Sequence, residues 1–428
     1  MKMINTQNLK GVTDYYGKEQ LIRNKIINIL KETFENYGYS PLDSSVLYNY
    51  DILAYKYQDG AEILNEIYTL TDQGNRQLGL RYDLTIPFCK VISNEKELRL
   101  PFRRYEIGKV FRNGPVKLGR CREFYQCDID VVGIDGIDIE IEQMLLVLNV
   151  FSKLGIDIVI KWNNRKLMSS LIKYIGIGEE QVDSVIGAID KLEKLSTEEL
   201  IKEFERINID AETVGKLLAI FTKDINYYNN LFIDDPMYQE ALSEINDLNN
   251  KLEKLNIKDK TKFTPTLARG LSIYTGTVFE FYDVEERLTC SLGGGGRYNK
   301  IITDFINDGN TYPAVGLSFG LEPIYTILKE ELSNENLVNV YIIPMDTETE
   351  CLNLAETLRK NNINVLVELN KRKIKKCFEY ANKENIKYVI VVGSNEIESN
   401  HYTIKDMTLG NQYTMTEEEL LDFLKQNK

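Results

Sequence analysis

Histidine is nearly absent: 428 residues contain one, His401, near the C-terminus. That excludes multi-histidine metal sites and gives a histidine-based triad no support. Catalysis is expected to run on Arg, carboxylates and Tyr, with His401 a surface residue. The six cysteines, Cys89, Cys121, Cys127, Cys290, Cys351 and Cys377, show no C-x-x-C spacing, which argues against a disulfide framework and a structural zinc; no protein-held metal is expected. No run of about 18 apolar residues occurs, so no membrane span is expected. The start has no signal-peptide pattern, and the expected compartment is the cytoplasm. Positive charge is also short: 52 Lys and Arg stand against 65 Asp and Glu, a net charge of −13. That balance speaks against general nucleic-acid binding, so any RNA contact is expected at local basic patches on a negative body. No internal repeat is visible.

What is present is ordinary globular material, 43% hydrophobic and 27% charged, and long enough for roughly two or three domains. One stretch stands out, Arg103 to Asp130. Its alternation predicts a strand ending at Phe111, a break at Asn113-Gly114-Pro115, and a second strand from about Arg122 through Val132. Arg112, Arg120 and Arg122 then ring one hairpin mouth beside Phe124. Guanidinium groups grip phosphate oxygens in pairs, and a phenyl face stacks a purine. Gln126, Asp128 and Asp130, spaced by two, share one strand face.

FRNGPVKLGRCREFYQCD closely resembles motif 2 of class II aminoacyl-tRNA synthetases in its histidyl version. The remaining motifs follow in order. An amphipathic helix over 18–37 (Ile22, Ile26, Leu30, Phe34, Tyr37), stopped by Gly38, and a strand after Pro41 are similar to motif 1, which implies a homodimer interface; Ser45 stands where that motif ends in proline. Arg81-Tyr82-Asp83-Leu84-Thr85 resembles the family's R-Y-D-L-T element, with Asp83 and Thr85 read at strand spacing as acceptors for an α-ammonium. A helix from Gly136 to Leu154 carries Glu140 and Glu142 in its first turns, and a strand runs from Ile156 to Trp162. Residues 165–260 read as short helices near 179–195, 196–206, 211–224 and 235–255, with Ser196-Thr197-Glu198-Glu199 as a capping box.

A β pattern is expected to resume over Thr264 to Gly276. There, Arg269 and Tyr274 match the family's R-G-L-D-Y-Y motif, while Ser272 and Ile273 depart from it. Ser291-Leu292-Gly293-Gly294-Gly295-Gly296-Arg297-Tyr298 is similar to the second histidine-specific motif; its glycines lack Cβ atoms and let backbone approach a ligand. Pro313 to Glu322 resembles motif 3, except that Pro323 stands where the family has an arginine. Beyond a polar link at 329–336, βαβαβ alternation and a final helix after Thr416 are similar to an anticodon-binding domain, with a basic edge at Lys371-Arg372-Lys373-Ile374-Lys375-Lys376.

The resemblance implies an α+β fold: a class II antiparallel-sheet catalytic core (1–164 and 261–328), a helical insertion (165–260), and a C-terminal α/β anticodon-binding-type domain (338–428). It implies ATP, with Mg²⁺, as a substrate, and L-histidine and tRNA(His) as partners. Arg112 and Arg269 are the implied catalytic pair at the α-phosphate. Arg120, Arg122, Phe124 and Glu322 join Arg112 at ATP. Histidine is assigned to Asp83, Leu84, Thr85, Arg112, Gln126, Asp130, Arg269, Ile273, Tyr274 and Tyr298. RNA is assigned to Lys117, Arg372, Lys373 and Lys376. The alternative is a non-catalytic paralogue that binds histidine or a partner enzyme, like the regulatory subunit of ATP phosphoribosyltransferase; that relative typically lacks the C-terminal domain.

Overall fold

A computed structural model describes residues 4–55, 62–95, 99–116, 121–192, 195, 197–269, 273–330 and 336–427. The chain forms two compact units, residues 1–14 with 23–327, and residues 15–22 with 328–428.

The larger unit is built on an eight-stranded sheet. In spatial order its strands are Ser40–Pro41, Phe102–Phe111, Glu123–Val132, Ala314–Gly320, Gly293–Arg297, Thr277–Asp283, Ile158–Asn164 and Thr261–Phe263. All neighbours pair antiparallel except the two short edge strands, which pair parallel. The class II antiparallel sheet expected from the motifs is therefore present. Helices Lys18–Asn36 and Asp138–Leu154 cover it. Ile26, Leu30 and Phe34 recur at helical spacing and are fully buried, and Gly38, at φ +77, ends that run. Phe34, Phe151, Phe281 and Phe319 pack ring on ring with centroids 5.2–5.9 Å apart. Each buried ring stabilises the sheet by roughly 1.5–3 kcal/mol.

The hairpin forms as the alternation predicts, with Phe111 opposite Glu123 and the Arg112 amide donating to the Arg122 carbonyl at 2.9 Å. Two local expectations change. Thr85 opens a helix, Thr85–Asn94, so Asp83 and Thr85 do not sit on a strand. The Asp83 side chain instead accepts the Ile86 amide at 3.1 Å, a carboxylate drawn to the free donors of a helix start. Residues 264–269 and 273–276 are not strand; the strands lie to either side. The four-glycine run is a central strand paired on both edges.

Helices Arg165–Tyr174, Val182–Ile189, Thr197–Arg206, Ala211–Ile220, Ile225–Asn230 and Pro236–Lys254 fill the span between strands. Asn164, Asp210, Asp224 and Asp235 cap four of them, each side chain accepting a backbone amide. The helix expected over 211–224 ends at Ile220, and Asp224 caps a further short helix, Ile225–Asn230, that the pattern did not predict. Ser196 of the expected capping box lies outside the described residues.

The second unit holds a five-stranded sheet. Val340–Pro344 pairs parallel with Val365–Val367 and Tyr388–Val392, as βαβαβ alternation requires. Two antiparallel strands, His401–Asp406 and Gln412–Thr416, extend it; their polar, Thr-rich sequence hides a strand exposed on one face. The capping box at Thr416 and Glu419 is formed. His401 is exposed.

Candidate active site

The hairpin, the glycine strand and the corner at Gly320 enclose a cleft of about 430 Å³, lined among others by Arg112, Phe124, Gln126, Arg269, Glu322 and Pro323. That size is typical of a small-molecule site. Arg112 and Arg269, 157 positions apart in the sequence, thus face one space. The Arg112 guanidinium lies over the Phe124 ring at 5.1 Å, and its Nε donates to the Tyr82 carbonyl at 3.1 Å. Arg269 lies over the Tyr274 ring at 5.4 Å, with Glu280 3.5 Å away. Gly294 makes that position possible: a Cβ there would stand 2.2 Å from Arg269 Nη1, well inside contact distance.

Behind the cleft runs a buried polar row. The hairpin register sets Arg104 opposite Asp130 and Glu106 opposite Asp128, so period two puts all four on one face. Arg104, fully buried, lies 2.6 Å from Asp130 and 3.7 Å from Glu106, and donates to the Leu84 carbonyl at 3.1 Å. Arg81 reaches Glu106 at 2.8 Å, and Ser44 donates its amide and hydroxyl to the same carboxylate. The Tyr298 hydroxyl donates to Asp130; burial and that carboxylate push the tyrosine well above its ordinary range. Tyr274, Tyr298 and the partly buried Ile273 pack in the apolar cluster alongside. The predicted histidine set therefore divides between the cleft wall (Arg112, Gln126, Arg269) and this buried row with its flank.

Asp128 is 5% exposed and its Oδ1 has no hydrogen-bond partner among the described residues. Burial, with Asp130 adding and Arg104 opposing, pushes its carboxyl up to about 7. The unfolded carboxyl ionises near 3.9. Between those values the folded chain holds a proton the unfolded chain has released, so stability falls as pH rises through that window and levels off above it. Asp128→Asn is expected to remove this slope, gaining on the order of 2 kcal/mol over wild type between mildly acidic and neutral pH. Urea unfolding across that range checks it; parallel stability curves for the two proteins would rule it out.

Several residues at the site are assigned no role by the sequence, some of them, such as Arg81 and Ser291, standing only within motifs. Arg81, Arg104 and Glu106 build the buried row, and Glu66, Cys121, Tyr125, Ser291 and Ser318 line the cleft. The signal for Arg104 and Glu106 was available: charged residues at period two on a strand facing Asp128 and Asp130. Arg122 is half-buried and its Nε has no partner among the described residues. Lys117, Arg120 and Ser272 lie outside the described residues. Glu140 stands in the first turn of helix Asp138–Leu154, as expected, and Glu142 one turn further on; they also pair with Arg297 at 2.7 Å and with Arg103. In the second unit, Arg372 lies 3.2 Å from Glu368 and over the Tyr380 ring at 4.7 Å, while Lys373 and Lys376 are exposed.

Comparison with known proteins follows the same division. Residues 11–324 match the family model of histidyl-tRNA synthetase, and residues 339–427 match that of the anticodon binding domain. A Bacillus cereus protein named histidine–tRNA ligase 1 is 43% identical over 415 residues, covering 96% of this chain and 97% of that protein. The crystal structure of histidyl-tRNA synthetase from a Nostoc species superposes with a TM-score of 0.86 at 26% identity, covering all of both chains. A Bacillus halodurans structure titled ATP phosphoribosyltransferase regulatory subunit/histidyl-tRNA synthetase shares the fold, with a TM-score of 0.75 at 20% identity over 92% of this chain and all of that one. Matched over residues 11–324 by that family's model and over 96% of its length by a 43% identical relative, the chain belongs to the histidyl-tRNA synthetase family.

Proposed function

We propose that the chain is a ligase that activates L-histidine with ATP to histidyl-adenylate, releasing pyrophosphate, and then passes the histidyl group to the 3′ end of tRNA(His), releasing AMP. The observation that carries the residue-level reading is the single cleft lined by Arg112, Arg269 and Phe124. Two guanidinium groups on one space suit a phosphoryl group that gains negative charge as a carboxylate attacks its phosphorus. The incoming carboxylate oxygen bonds to the α-phosphorus, and the bond to the pyrophosphate oxygen breaks. Positioning and charge drive this step without a covalent enzyme intermediate. Phe124 stacks adenine, Arg120 and Arg122 take the outer phosphates, and Mg²⁺ would accompany ATP as part of the substrate.

The amino acid lies toward the acidic row. There Arg81 and Arg104 face Asp83, Glu106, Asp128 and Asp130, more carboxyl groups than guanidinium groups, which favours a substrate that brings its own ammonium. Asp83, Thr85 and Gln126 hold that ammonium, and Asp130 and Tyr274 take the two imidazole nitrogens, with Leu84, Ile273 and Tyr298 lining the slot. The family commonly has Glu where this chain has Asp130, and Arg104 and Tyr298 hold the shorter arm in place.

In this reading 1–164 with 261–328 is the catalytic core, 165–260 the insertion that meets the acceptor arm, and 338–428 the anticodon domain, with Lys117, Arg372, Lys373 and Lys376 on RNA. The enzyme acts as a cytoplasmic homodimer. Among the described residues no helix is long and apolar enough to cross a membrane. The anticodon-domain match over 339–427 weighs against the paralogue reading.

The test is pyrophosphate exchange with each amino acid in turn, then transfer to tRNA. Histidine alone is expected to support exchange, and its product to charge tRNA(His). Exchange with a different amino acid, or none with any, would overturn the reading.

A further inference from the structure

We infer that Arg23 is a positioning residue for the nucleotide, acting through Glu322. The inference rests on the reading of the cleft as the ATP site. Glu322 follows the last strand of the cleft wall and lines the cleft with its neighbour Pro323. A carboxylate there opposes a triphosphate, and Pro323 brings no cation to offset it. The cation comes from the far end of the sequence. Arg23, on helix Lys18–Asn36, places Nη2 2.9 Å from Glu322 Oε1. Its guanidinium sits over the rings of Tyr125 and Tyr325, each centroid 5.6 Å away.

The burial pattern separates the two roles. Arg23 is 2% exposed and is not among the residues lining the cleft, whereas the Glu322 side chain is 13% exposed and is. Arg23 therefore acts on a ligand only through what it holds. The same Glu322 oxygen accepts the Tyr125 amide at 3.3 Å, which clips the strand next to Phe124, the ring assigned to adenine. The opposed charges are both felt at the cleft-lining Cys121: burial raises that thiol, Glu322 raises it further, and Arg23 lowers it. Arg23 thus fixes the Glu322 carboxylate, cancels its charge beside the phosphates, and keeps the Phe124–Tyr125 segment registered on the cleft. A guanidinium suits this position because it offers several donors in one plane and stacks on aromatic faces.

The test is a double-mutant cycle on ATP affinity, measured by calorimetry with full-length protein and without histidine or tRNA. Arg23→Met is expected to weaken ATP binding about tenfold, and to leave the KM for histidine in exchange unchanged. In a Glu322→Gln background the same change is expected to cost less than about twofold, because the group Arg23 acts through is gone. Equal losses in both backgrounds, or parallel loss of ATP and histidine binding, would overturn the inference. If Arg23→Met does not fold, Arg23→Lys reads the same coupling at smaller amplitude, about threefold against none. Wild-type protein that binds ATP but gives no histidine-dependent exchange refutes the proposed reaction and leaves this cycle readable. Wild-type protein that binds no ATP overturns both.

Discussion

Arg269→Ala abolishes histidine-dependent pyrophosphate exchange, with an expected loss of about 10³-fold or more in kcat/KM, while the protein stays folded. Removing one preorganised cation from a charge-developing centre typically costs about 10²–10³. The expected loss is at or above the top of that range because Arg269 and Arg112 face the same small space and Pro323 adds no further charge. Folding is spared because Arg269 sits at the cleft surface, its side chain 22% exposed and its ion-pair partner Glu280 3.5 Å away. A partly exposed pair at that distance is worth at most about 1 kcal/mol. Arg269→Lys recovers part of the rate, since a point charge replaces part of the guanidinium's stabilisation. Exchange assays paired with thermal unfolding decide the matter. A folded Arg269→Ala protein with wild-type exchange removes this residue from the reaction.

Arg104→Met has the larger effect on stability, an expected loss of about 3–5 kcal/mol at neutral pH. Arg104 is fully buried between Asp130, Glu106 and the Leu84 carbonyl, with the Phe88 ring 4.5 Å from the guanidinium. Methionine of similar length fills the space but leaves carboxylates without their cation in a medium that screens poorly. The sign of the pH dependence follows. Arg104 opposes the upward push of burial on the Asp128 and Asp130 carboxyls, so losing it raises both, and the variant's deficit is smallest in mild acid and grows toward neutral pH. Adding Asp130→Asn restores part of the loss by removing one of the stranded charges. Urea unfolding at two pH values measures both effects. A deficit under about 1 kcal/mol, or one independent of pH, would mean that the row is held by packing and not by charge. The same variant frees the Leu84 carbonyl, which loosens the Asp83–Thr85 turn assigned to the amino acid, so the KM for histidine is expected to rise along with the loss of stability.

Much of the fold was legible because its signals are local. Alternation and Asn113-Gly114-Pro115 marked the hairpin. The spacing of Ile26, Leu30 and Phe34 marked the long helix, and Thr416 with Glu419 marked the last one. Where one local signal overrode another, the reading failed. Asp83 and Thr85 have strand spacing, yet the Asp83 carboxylate finds the Ile86 amide and the chain turns into a helix. The four consecutive glycines, to which the local pattern assigned no element, form a central strand between close neighbours on both sides.

By itself the sequence determined the kinds of groups available: arginines and aromatics for a nucleotide, carboxylates and tyrosines for an amino acid, and too few histidines for a multi-histidine site. Those follow from residue identity and short-range periodicity, which survive without coordinates. Only the tertiary structure decided which groups meet. It brought Arg112 and Arg269 to one cleft, paired Arg104 with Asp130 across the hairpin, and carried Arg23 to Glu322. Contacts between residues so far apart depend on sheet order and helix docking, and buried area selects those over the whole chain, beyond the reach of any local pattern.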